Sequence, residues 1–125
     1  MTIKILFIGL GSFLGGIFRY LLSGYIQNIF ISAFSYGTFF VNIIGCFIIG
    51  IFYGIFEKGN ILNNEWKLFL TVGFCGGFTT FSTFANENLE LIKSGNFFYF
   101  TIYTGLSVLL GILAVYFGNL LIRFI

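Results

Sequence analysis

Histidine, aspartate and proline are missing from this 125-residue chain, and only six basic and four acidic side chains carry charge. Without histidine the commonest general base and metal ligand is gone. Without proline, any break in a helix must come from glycine or hydroxyl residues. Charged residues make up 8% of the chain, against about 25% in soluble domains. So few charges cannot cover a globule of this size, so the chain reads as an integral membrane protein and not an enzyme. A net charge of +2 is too small to point to nucleic acid. The two cysteines, Cys46 and Cys75, lie in apolar runs with no ligand-like spacing around them. They read as small hydrophobes, not as a disulfide or a metal site.

What remains is 58% hydrophobic, with twenty phenylalanines and seventeen glycines. A membrane helix needs about 20 apolar residues. Four segments qualify, at 3–26, 36–56, 66–93 and 97–121. The expected fold is an all-α membrane protein with four transmembrane helices in a single transmembrane domain over 1–125. The first apolar run follows Lys4 and imitates a signal peptide. It passes through Gly9, Gly11, Gly15 and Gly16 to Arg19-Tyr20 without a small-residue cleavage site, so it is expected to be a retained span. Gly11/Gly15 and Ser12/Gly16 are small-xxx-small pairs that predict close helix contact. Arg19 lies two thirds along this span. It is either functional or paired there, or it snorkels to the interface beside Tyr20 and Tyr25.

A polar connection with Gln27, Asn28, Ser32 and Ser35 leads to the second span. Thr38 and Asn42 share a face there, at i and i+4. Asn42 needs a partner in hydrocarbon. It can bond another helix or offer its amide to a permeating anion. Gly45, Gly50 and Gly54 suit tight packing. The loop from Glu57 through Asn60 and Asn63 to Glu65 is the most polar stretch, and Trp66-Lys67 reads as an interface anchor. Ser94-Gly95-Asn96 is a minimal turn before the fourth span, where Tyr103, Thr104 and Ser107 form a modest polar face.

The third span holds the unusual stretch, Gly73-Phe74-Cys75-Gly76-Gly77-Phe78-Thr79-Thr80-Phe81-Ser82-Thr83-Phe84. Gly76-Gly77 weakens a helix, and the threonines offer hydroxyls to the freed backbone. Broken backbone at membrane depth survives only against protein or a water-filled cavity. The stretch therefore predicts an interrupted helix lining a polar path, with a restart near Thr80–Ser82. A small-residue packing face with ordinary aromatics is the alternative. Phe81 and Phe84 fall at i, i+3, and Thr80, Thr83 and Glu87 repeat at similar spacing.

Together with Gly15-Gly16-Ile17-Phe18-Arg19-Tyr20 and Gly37-Thr38-Phe39-Phe40-Val41-Asn42, this stretch resembles the signatures of the CrcB/Fluc fluoride channels. The resemblance covers the whole chain in length, span count and motif order. It implies an antiparallel, dual-topology homodimer in the bacterial plasma or inner membrane, with two fluoride pores and a structural Na⁺ at the dimer centre. By motif position, Gly76 and Thr79 would supply backbone carbonyls to Na⁺. Phe81 and Phe84 would be the pore phenylalanines and Asn42 the pore-facing amide. Thr38, Ser82 and Thr83 would be hydroxyls along the path, and Tyr103 a fourth-helix pore residue. Arg19 and Glu87 would be charges near the pore mouths. The implied function is passive, fluoride-selective export that lowers fluoride toxicity.

Lys4, Lys58, Lys67 and Arg123 fall on one side of a four-span chain, against Lys93, or Lys93 and Arg19, on the other, a weak orientation bias that sits against dual insertion. Two other transport classes compete. A proton-coupled multidrug exporter needs a carboxylate in the first span, which has none. A fluoride/proton antiporter would use Glu87, the only carboxylate near the polar path. A non-transporting assembly subunit would use the glycines but leave Asn42, Phe81 and Phe84 unexplained.

Overall fold

Residues 1–30, 34–59 and 62–125 are described by a computed structural model. Ser32 and Asn60, expected in polar connections, lie outside the described residues. The first two spans are α1 (Thr2–Ile29) and α2 (Tyr36–Lys58). The third comes in pieces: α3 (Asn64–Leu68), a π-helical stretch Phe69–Cys75, α4 (Gly76–Phe78) and α5 (Phe81–Lys93). The last is α6 (Phe97–Arg123). The four spans are each long and apolar enough to cross a membrane, as the composition requires, and the chain is a multi-pass membrane protein. They extend a few residues beyond the expected bounds because flanking residues continue the helical turns.

Two packing pairs organise the spans: α2 lies along α6, and α1 lies along the first half of the third span. In lipid, burial of apolar surface does not drive helices together, so close backbone contact must. Glycine makes that contact on both pairs. A Cβ at Gly50 would strike the Val115 carbonyl, and one at Gly118 the Phe47 carbonyl. On the other pair, Gly11 meets the Phe69 carbonyl, Gly15 the Phe74 carbonyl, and Gly77 the Ser12 backbone. The Gly11/Gly15 pair behaves as expected. The Ser12/Gly16 pair does not, since Ser12 faces Gly77 while Gly16 faces open space.

The joints are held by side chains and turns. Gln27, in the last turns of α1, accepts from the Gly37 amide at 3.1 Å and donates to the Phe34 carbonyl at 3.4 Å. It ties the end of α1 to the start of α2. The Asn63 side chain caps α3 by accepting from the Trp66 amide at 3.0 Å. Trp66 then packs edge-on against Phe7, with ring centroids 5.2 Å apart. At the other end, α5 closes in a Schellman turn. The Asn96 amide bonds the Leu91 carbonyl and the Gly95 amide the Ile92 carbonyl. Gly95 sits at φ 79°, where a side chain would be strained.

Candidate functional site

The third span does break, but not at its glycines. Gly76 is helical, at φ −63° and ψ −38°. Thr79 and Thr80 are extended, at φ −85°, ψ 155° and φ −146°, ψ 120°. The expected weakness at Gly76-Gly77 is corrected on this point. Gly77 stays helical because its missing side chain admits α1, and the chain opens two residues later.

Polar side chains hold it open. Thr79 turns its amide and its hydroxyl back onto the Cys75 carbonyl, at 3.0 and 2.8 Å. Asn42 reaches across from α2 and takes both backbone groups of Thr80. Its Oδ1 accepts from the Thr80 amide at 2.7 Å, and its Nδ2 donates to the Thr80 carbonyl at 3.0 Å. The Thr80 hydroxyl accepts from the Thr83 amide at 3.1 Å, which caps α5 and restarts the helix at Phe81. These bonds divert two donors. In a continuous helix the Thr80 amide would serve the Gly76 carbonyl, and the Thr83 amide the Thr79 carbonyl. Both amides are taken by side chains instead. The Gly76 and Thr79 carbonyls thus lack the amides that a continuous helix would give them.

Downstream of the break, Glu87 accepts two hydroxyl bonds. Thr38 donates to Oε2 at 3.0 Å and Tyr103 to Oε1 at 2.8 Å. Tyr103 is fully buried and Thr38 nearly so. Phe84 is buried against Tyr103, with centroids 5.0 Å apart. Phe81 lies 5.8 Å from Phe84 but is 78% exposed. The structure therefore gathers Thr38, Phe84, Glu87 and Tyr103 into one inner line. Phe81 and Ser82 stand outside it, with Thr83 half-buried at the start of α5. Thr38 and Asn42 share a helix but serve different partners, Glu87 and Thr80. Asn42 acts here as the interhelical bond that its sequence position allowed.

Arg19 and Glu87 do not meet. Arg19 is instead paired, since its Nε donates to the Gly77 carbonyl at 3.1 Å, 58 residues away in sequence. A groove of about 570 Å³ runs beside the break, walled by Asn42, Gly76, Thr79, Thr80, Phe81 and Ser107 among others. Sequence reasoning did not single out Thr80 as the cap, although a threonine three residues before Thr83 at a helix restart is that signal. It also left Ser107 without a role. Among the described residues, the buried Ser107 hydroxyl has no hydrogen-bond partner, one turn along α6 from Tyr103.

Residues 6–119 match the family described as CrcB-like protein, Camphor Resistance (CrcB). The chain is 49% identical over 121 residues to the fluoride-specific ion channel FluC of Bacteroides fragilis, with 94% of each chain covered. It is 42% identical over 119 residues to FluC of Flavobacterium psychrophilum, covering 95% of this chain and 96% of that one. Against FluC of Azobacteroides pseudotrichonymphae it is 40% identical over 124 residues, with 99% of each covered. The match spans all four helices and the break between them, and the chain belongs to the CrcB family.

Proposed function

We propose that the chain is a passive, fluoride-selective channel of the bacterial cell membrane. The carrying observation is its similarity, over nearly the full length of both chains, to proteins named fluoride-specific ion channels. The geometry supports this reading. Fluoride is small and strongly hydrated, so a path must replace its water with donors and edges. The Phe84 ring lies on the inner line beside Tyr103, whose hydroxyl, like that of Thr38, donates to Glu87 and can serve an ion only by leaving that carboxylate. An aromatic edge is positive and gives an anion a weak station that it can leave. Phe81, Ser82 and Thr83 continue the path from the restart, and Asn42 supports it by holding Thr80. A membrane potential negative inside drives an anion outward at about 2.3 kcal/mol per charge per 100 mV, so no proton relay is needed.

The working unit in this reading is an antiparallel homodimer. Phe81 and the groove beside the break stand open on one protomer, which supports a second copy covering them. Each protomer contributes the Gly76 and Thr79 carbonyls, and two copies make a four-oxygen site for a structural Na⁺. When bound, Na⁺ supplies a positive charge that joins the two broken helices. This chain's own residues expose those carbonyls, because Asn42 and Thr80 take the donors.

The test is fluoride efflux from liposomes holding the purified protein, with a potassium ionophore, a fluoride electrode and a chloride control. Voltage-driven fluoride release with little chloride release and no pH gradient is the expected result. Release only under a proton gradient would replace the channel by a fluoride/proton antiporter working through Glu87. No release would favour an assembly subunit.

A further inference from the structure

We infer that Arg19 is a positioning residue for the break: its guanidinium replaces the backbone donor that the break takes from the Gly77 carbonyl, and so fixes the end of the first half-helix beside which the Gly76 and Thr79 carbonyls lie. In an unbroken helix the Gly77 carbonyl would accept from the Phe81 amide. Thr79 and Thr80 are extended, so that amide belongs to the next helix. Arg19 Nε occupies its place at 3.1 Å.

The reach follows from α1. Gly15 and Arg19 lie one turn apart on the same face. Gly15 brings α1 against the backbone of Phe74 and Phe78. A helical side chain leans back over the preceding turn, which carries the guanidinium over the end of α4. The charge suits the position, because a helix ends with a partial negative charge that a cation offsets. It also explains a half-buried arginine inside a span, where charge is costly without a partner. Together with Asn42, Arg19 holds the break from two helices: α2 fixes Thr80, and α1 fixes Gly77.

The full-length protein carrying Arg19→Gln or Arg19→Lys tests this. The primary readout is hydrogen–deuterium exchange in peptides covering 73–84, with α2 and α6 peptides as the reference. Loss of a charge-assisted bond at the break should speed exchange there by about tenfold in Arg19→Gln and less in Arg19→Lys, leaving the reference peptides unchanged. The second readout, which rests on the Na⁺ reading above, is thermal unfolding as Na⁺ replaces K⁺ at fixed ionic strength. Arg19→Gln should need about tenfold more Na⁺ for half of the wild-type stabilisation. If the wild type shows no Na⁺ response while the variant still exchanges faster at the break, the cation reading fails and the role of Arg19 stands. Unchanged exchange at the break in Arg19→Gln overturns the inference. So does a variant whose only defect is weaker fluoride flux that Arg19→Lys restores, since Arg19 would then act as a charge on the ion path. If Arg19→Gln does not fold, Arg19→Lys alone decides: faster break exchange supports the inference, and wild-type exchange overturns it.

Discussion

The α2–α6 pair and the α1–third-span pair use the same device to opposite ends. Both bring backbones together through glycine, Gly50 and Gly118 in one, Gly11, Gly15 and Gly77 in the other. Yet α2 and α6 run unbroken, while the third span opens at Thr79-Thr80. Glycine is therefore a contact residue in both pairs. What separates them is a polar side chain from a neighbouring helix that takes backbone groups, Asn42 and Arg19 at the break, whereas among the described residues no side chain of α2 or α6 is seen bonding the other's backbone.

That contrast can be attacked from either side. Gly118→Val should have the largest effect. Its side chain would fall on the Phe47 carbonyl, so the unbroken pair must separate, at about 3 kcal/mol, and unfolding in mixed micelles should show the loss. Asn42→Ala should come next. It strands the amide and carbonyl of Thr80, costs about 2 to 3 kcal/mol, and reduces fluoride efflux at protein densities where the wild type is fast. Thr80→Ala removes the cap of α5 and should cost about 1 kcal/mol in the same unfolding assay. The smallest effect is expected from Gly16→Ala, which meets nothing within 4 Å. It should leave efflux unchanged and stabilise α1 by about 0.5 kcal/mol, in contrast to Gly15→Ala on the packed face. A Gly16→Ala as damaging as Gly15→Ala would mean that α1 packs on its other face.

The four spans were legible because apolar length is a property of the sequence alone. The restart near Thr80–Ser82 was legible, since α5 begins at Phe81, but the weak point was placed at the glycines. Local propensity points to Gly76-Gly77, whereas the opening depends on Asn42, 38 residues away. No local pattern encodes that pairing. The same holds for Thr38 and Asn42, which share a face yet bond different elements, Glu87 on α5 and Thr80 at the break. Arg19 could be recognised as an anomaly in its span, but its partner is a backbone carbonyl, which carries no sequence signature. The π-helical stretch at Phe69–Cys75 was likewise unforeseen, because nothing local in its sequence distinguishes a π-turn from an α-turn at a contact with α1.

The bonds at the break also carry an order in time. A chain is made from its N-terminus, and Gln27 can tie α1 to α2 as soon as Gly37 emerges, ten residues later. Arg19 and Asn42 both precede the groups they serve. When Gly77 and Thr80 enter the bilayer, their partners are already there, so the exposed backbone is met on arrival. Glu87 is served in two stages: Thr38 precedes it, while Tyr103 follows it on α6. The inner line is completed only when the last span inserts.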